Sequence, residues 1–145
     1  MTPLKTLTEH VRGTLAIHPD RASYQVSPGR WASFGYALAG LLHVLRYAKN
    51  SRIQALATII VIAIGLWAGL DRLEWALILL TIGLNWLVEV INSAIEAVVN
   101  LASPGYHPMA RVAKDVAAGG SLLAALLSLG MAGLVLLPAV LERLE

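Results

Sequence analysis

Long uncharged apolar stretches, separated by short polar breaks, run through the chain from about residue 53 onward, and their lengths are those of bilayer-crossing helices. Ile53 to Leu70 holds no charged residue. At ~1.5 Å per residue it makes a slightly short span. Asp71-Arg72-Leu73-Glu74 interrupts it, and Asp71 with Glu74 three residues on reads as a capping box that starts the next helix. That second helix is predicted from about Leu73 to Asn100, ending at the Ala102-Ser103-Pro104-Gly105 break. A third begins near Met109, is uncharged from Val116 to Leu141 and ends at Glu142-Arg143. Pro138 falls in its last turns, where a bend disturbs least.

Ahead of these spans, Trp31, Phe34, Leu38, Leu41, Leu42 and Leu45 recur at helical spacing between Trp31 and Lys49. Arg30, His43, Arg46 and Lys49 supply polar groups around that stripe. The pattern predicts an amphipathic helix lying in the membrane interface. Met1 to Arg30 is mixed and punctuated by Pro3, Pro19, Pro28 and Gly29. It reads as an N-terminal extension, residues 1–30, with a short helix over Leu4 to Ala16. It lacks the basic start and apolar run of a signal peptide. Residues 31–145 then form one membrane domain. The fold class expected is all-α integral membrane, an interfacial helix followed by three transmembrane helices.

Composition agrees with that pattern. The 145 residues are 57% hydrophobic and 14% charged, with mean hydropathy +0.68. A soluble domain carries about 25% charged residues, and burial in a bilayer accounts for the deficit. A net charge of +2 is too weak to suggest nucleic-acid binding. The absence of cysteine excludes disulfides, thiolate catalysis and cysteine metal sites. The basic residues are unevenly placed. Lys5, Arg12, Arg21, Arg30, Arg46, Lys49 and Arg52 precede or open the first span, and Arg111 and Lys114 lie between the second and third. Only Arg72 and Arg143 fall on the other side, nine against two. The positive-inside rule therefore puts the N-terminus in the cytoplasm and the C-terminus outside. Gly119, Gly120, Gly130 and Gly133 allow close helix approach on the third span. Three helices make a thin bundle for burying carboxylates, so an oligomer is expected.

The candidate chemistry lies on the second span. Asn85, Asn92, Ser93, Glu96 and Asn100 fall at −4, +3, +4, +7 and +11 from Glu89, all on one narrow face at 3.6 residues per turn. Asn and Ser on such a face can serve as glue between helices. Carboxylates are another matter, because an acidic side chain at the centre of a span costs ~2.5 kcal/mol or more. Two of them on one face point to cation coordination or proton transfer. Glu96 and Asn92 offer the hard oxygen ligands that suit Mg²⁺. Glu89, deeper in hydrocarbon, suits a general base.

A second cluster, Tyr106 to Asp115, joins the polar ends of helices two and three. Lys114 can act as a point charge on a phosphate, and Asp115 can hold a metal ion or orient Lys114. The same residues would also suit a basic loop on anionic headgroups with a local Lys-Asp contact. His107 reads as a loop hydrogen-bonder rather than a ligand. There is no Gly-x-x-x-x-Gly-Lys-Ser/Thr stretch, so a P-loop is excluded. The residues alone leave two function classes open: phosphoryl transfer, and a proton- or ion-handling oligomer built on Glu89. The second gives Lys114 and Asp115 no role.

Glu89-Val90-Ile91-Asn92-Ser93-Ala94-Ile95-Glu96-Ala97-Val98-Val99, then Tyr106-His107, then Ala113-Lys114-Asp115, resembles the signature of prokaryotic diacylglycerol and undecaprenol kinases. Ser33-Phe34-Gly35-Tyr36-Ala37, Gly40 and Asn50-Ser51-Arg52-Ile53 resemble that family's amphipathic helix and entry to its first span. The likeness covers about residues 31 to 140. It implies a homotrimer of three-span subunits in the bacterial plasma membrane, phosphorylating a lipid alcohol with MgATP at sites shared between neighbours. On the matching positions Glu89 would be the base, and Asn92 and Glu96 would bind metal. Lys114, Asp115, Asn100 and Arg52 would contact the nucleotide. The stretch from Ala113 to Gly119, with His107-Pro108, is more similar to the undecaprenol branch. Three positions depart from the family: Ala48 and Asn100 stand where it has Glu and Asp, and Gln54 where Glu or His is common. Those losses leave a weakened or non-catalytic kinase relative as the alternative.

Overall fold

The computed structural model describes residues 29–145, so the helix expected over Leu4 to Ala16 lies outside the described residues. Four α-helices follow in order: α1 Arg30–Tyr47, α2 Lys49–Ala68, α3 Arg72–Ala102 and α4 Pro108–Leu144. The described residues fall in two compact units, 29–39 and 40–145. In the first, the described residues open α1.

The α1–α2 break falls at Ala48, whose backbone is extended (φ −77°, ψ 123°). The fully buried Ser51 hydroxyl lies 2.7 Å from the Val44 carbonyl and 2.8 Å from that of Ala48, sharing one proton between two acceptors. Arg52 donates from its guanidinium to the Arg46 carbonyl. Last-turn carbonyls have no partner within their own helix, and here the first turn of α2 supplies donors. The helix predicted to run on to Lys49 stops at Tyr47, where Ala48 turns the backbone extended.

The α2–α3 hairpin closes on Gly69, the one described residue with positive φ (78°). Only glycine holds that left-handed conformation without a Cβ penalty. Its N–H donates to the Gly65 carbonyl at 3.1 Å, and that of Leu70 to the same oxygen at 3.2 Å. A Cβ on Gly65 would sit 2.9 Å from Leu70 Cδ1 and 3.0 Å from Trp75 Cη2, so its lack of a side chain lets the turn fold back tightly. The capping box expected of Asp71 and Glu74 is present, with both hydrogen bonds at 2.8 Å. Asp71→Ala should lower thermal stability by about 1 kcal/mol, readable as a lower unfolding midpoint in detergent. An unchanged midpoint would show that packing alone holds this turn.

At that end of the bundle Leu70, Ile78, Val135 and Leu136 form the apolar core, flanked by Val61, Ile64, Trp75 and Met131. Helices α3 and α4 pack on each other more extensively than either packs on α2. At the opposite end, His107 caps α4, its Nδ1 accepting from the Met109 N–H at 3.2 Å, with Pro108 in the first turn. His107 is thus the loop hydrogen-bonder the sequence suggested. Asn50–Ala68, Arg72–Ala102 and Pro108–Leu144 are each long and apolar enough to cross a bilayer. Their outer faces carry exposed Leu56, Leu80, Leu84, Leu123 and Leu127. Apolar surface of that extent marks a lipid-facing or partner-facing protein.

Candidate functional site

Helix α3 presents its polar stripe to two different environments. Glu89 and Asn92 are buried, 3% and 6% exposed, whereas Glu96 and Asn100, farther toward the α3–α4 turn, are exposed. The buried half faces the other helices. Glu89 Oε2 accepts a 3.0 Å hydrogen bond from the Ser121 hydroxyl of α4. Asn92 Nδ2 donates to Glu96 Oε1 at 3.4 Å, while Asn92 Oδ1 is buried with no donor.

Beyond Glu96 the stripe meets the second cluster. Lys114 Nζ donates to Asn100 Oδ1 at 2.6 Å, tying α4 to α3. Asp115 pairs with Arg111 one turn earlier at 3.6 Å, both side chains 70% exposed. The local Lys114–Asp115 contact the sequence allowed is therefore replaced by two separate pairings. Adjacent helical residues point about 100° apart and do not face each other, while residues four apart do. Arg111, Lys114 and Asp115, with Tyr106, His107 and Ser103, line a cavity of about 320 Å³ over the α3–α4 turn. Arg52 is placed differently, its guanidinium engaged on the α1 carbonyl described above.

A larger cavity of about 470 Å³ runs between α2, α3 and α4, within the roughly 300–1,000 Å³ typical of ligand pockets. The Trp86 indole on α3 donates to Thr58 on α2 at 3.2 Å, which sets Gln54 near the level of Glu89. Asn50, Gln54, Glu89 and Ser121 line one end, and Val61, Ile78, Leu129 and Ala132 the other. From Glu89 to Ile78 is 11 residues, about 16 Å along the axis. The cavity is thus a channel with a polar head and a greasy foot. Gln54 Nε2 is buried there without an acceptor. Sequence reasoning noted Gln54 only as a departure from the family pattern and passed over Ser121. For Ser121 the available signal was that it is one of two hydroxyls in the uncharged run from Val116 to Leu141.

A buried carboxylate thus stands at the polar end of a channel between the helices, with an ammonium and a second cavity about two turns away. Residues 35–136 match the model of a family described as prokaryotic diacylglycerol kinase. The chain belongs to that family. It is 37% identical over 121 residues to a diacylglycerol kinase of Synechocystis, covering 83% of this chain and 69% of that one. It is 36% identical over 106 residues to the undecaprenol kinase of Bacillus subtilis, covering 73% and 86%. With the diacylglycerol kinase of Escherichia coli K12 the identity is 31% over 90 residues, covering 62% and 74%. Membership in this family, with three apolar helices, makes the chain a multi-pass membrane lipid kinase.

Proposed function

We propose that residues 31–145 phosphorylate a lipid alcohol with ATP and Mg²⁺ at the cytoplasmic face of the bacterial plasma membrane, with residues 1–30 as an extension. The observation that carries this reading is the buried Glu89 at the polar head of a channel whose wall is mostly apolar. Basic residues gathered on the side of the α3–α4 turn support the cytoplasmic placement. A lipid alcohol with its tail toward Ile78 and Ala132 would bring its hydroxyl to Glu89.

In that reading Glu89 takes the hydroxyl proton as the alcohol oxygen bonds to the γ-phosphorus of ATP. The bond from that phosphorus to the β–γ bridging oxygen breaks, and ADP leaves. Phosphoryl transfer depends mainly on positioning and on neutralising charge. Lys114 supplies a cation for the triphosphate, and Asn100 holds its ammonium without cancelling the charge. Asp115 and Arg111 line the same cavity as nucleotide contacts. The donor set fits Mg²⁺: Asn92 Oδ1 is a buried oxygen that no protein donor satisfies, and the Glu96 carboxylate lies beside it. Mg²⁺ usually takes only one or two carboxylates and completes its shell with waters and phosphates, so the absence of a carboxylate at Ala48 leaves a workable set. Bound there, the ion would neutralise charge on the transferring group. A homotrimer with sites shared between neighbours accords with the exposed apolar faces.

Undecaprenol is the favoured substrate, on the Ala113–Gly119 stretch and on the channel wall. The Thr81 and Ser128 hydroxyls both bond carbonyls of their own helices, so neither offers a free donor to a ligand, which suits a hydrocarbon tail. Diacylglycerol is the second reading, favoured by Gln54 Nε2, an unsatisfied donor that an ester carbonyl could meet. Purified protein with labelled ATP, Mg²⁺ and each alcohol tests both. Labelled undecaprenyl phosphate in excess over labelled phosphatidate is expected. No labelled lipid from folded protein would defeat the kinase reading for this chain.

A further inference from the structure

The Ser121 hydroxyl behaves unlike those of Thr81 on α3 and Ser128 on α4. Serine and threonine inside helices commonly donate back to the carbonyl four residues earlier. Thr81 does so to Leu77 at 2.7 Å and Ser128 to Ala124 at 2.8 Å. Ser121 instead donates across the helix interface to Glu89 Oε2 at 3.0 Å. Among the described residues no other side chain donates to that carboxylate. Both partners line the 470 Å³ channel, so the bond lies on the wall of the lipid space rather than inside a closed seam between helices. With Oε2 committed to Ser121, Oε1 is the oxygen left for the channel.

We infer that Ser121 is a positioning residue for proton abstraction: its hydroxyl fixes the rotamer of Glu89 so that the free carboxylate oxygen addresses the lipid hydroxyl. The inference rests on Glu89 being the base. A glutamate has three side-chain torsions, and a carboxylate without a donor can swing along the channel or toward Glu96. A hydrogen bond to a charged group holds more firmly than a neutral one.

The test compares two isosteres in the full-length protein. Ser121→Val removes the hydroxyl, and Ser121→Thr keeps it at the same volume as Val. Expected for Ser121→Val is a kcat lower by roughly tenfold or more, following the weight of charge-assisted hydrogen bonds, with KM for ATP and for the lipid alcohol unchanged. Ser121→Thr should recover most of that kcat, and the oligomer should elute alike in all three. Equal kcat in the Val and Thr variants would overturn the inference, because the branched side chain would then account for any loss. Glu89→Gln, assayed alongside, separates the two claims. If it is inactive while Ser121→Val matches wild type, only the positioning role fails. If it retains full turnover, the base assignment itself fails.

Discussion

Glu89→Gln should lower lipid phosphorylation by roughly 10²–10⁴-fold, the usual contribution of a positioned general base. The substitution keeps the shape of the side chain and an oxygen able to accept from Ser121. It removes only the capacity to take up a proton. Folding should survive, since a neutral amide is easier to bury than a carboxylate in the same place. The measurement is steady-state transfer of labelled phosphate to the lipid alcohol, alongside size-exclusion of the purified protein. The expected result is an elution volume like that of wild type, unchanged KM for ATP and a collapsed kcat. Full turnover would mean that the burial of Glu89 serves helix packing and that the proton leaves by another route.

Lys114→Met should act on the other substrate. A hydrogen bond from a charged donor contributes ~1.5–3 kcal/mol, which predicts a kcat/KM for ATP lower by roughly ten- to hundredfold. KM for the lipid should stay where it was, because Lys114 lines the smaller cavity and not the channel. Lys114→Arg keeps the charge but exchanges a compact ammonium for a broad planar group, so partial activity is expected. ATP kinetics unaffected by Lys114→Met would favour the other role open to this segment, contact with anionic headgroups. The neutral tether matters here. Asn100 Oδ1 holds the ammonium at 2.6 Å without neutralising it. A carboxylate at that position would compete with phosphate for the same cation.

Much of this protein was legible in its sequence, and the reason is periodicity. The three spans appear because a backbone in lipid must satisfy its own hydrogen bonds, and a helix does so within one segment. Any uncharged run of sufficient length therefore announces itself. The Asp71–Glu74 box needs only four consecutive residues, so it too could be read directly. The single-face placement of Asn85, Glu89, Asn92, Glu96 and Asn100 follows from 3.6 residues per turn and requires no knowledge of neighbours.

Partnership across helices was not legible. Nothing in the spacing tells that Ser121, 32 residues from Glu89, is its donor, or that Lys114 reaches Asn100 while Asp115 turns to Arg111. The interfacial helix predicted through Lys49 ends at Tyr47, where Ala48 turns extended and Ser51 and Arg52, beyond the break, reach back to the Val44 and Arg46 carbonyls. The sequence by itself determined the helices, their lengths and the chemical character of one face, since each depends on residues within a few turns of one another. Tertiary structure alone decided which carboxylate is buried, what holds it, and that the space before it is a channel with a polar head. Those properties belong to the gaps between three helices, and a gap has no residue of its own in the chain.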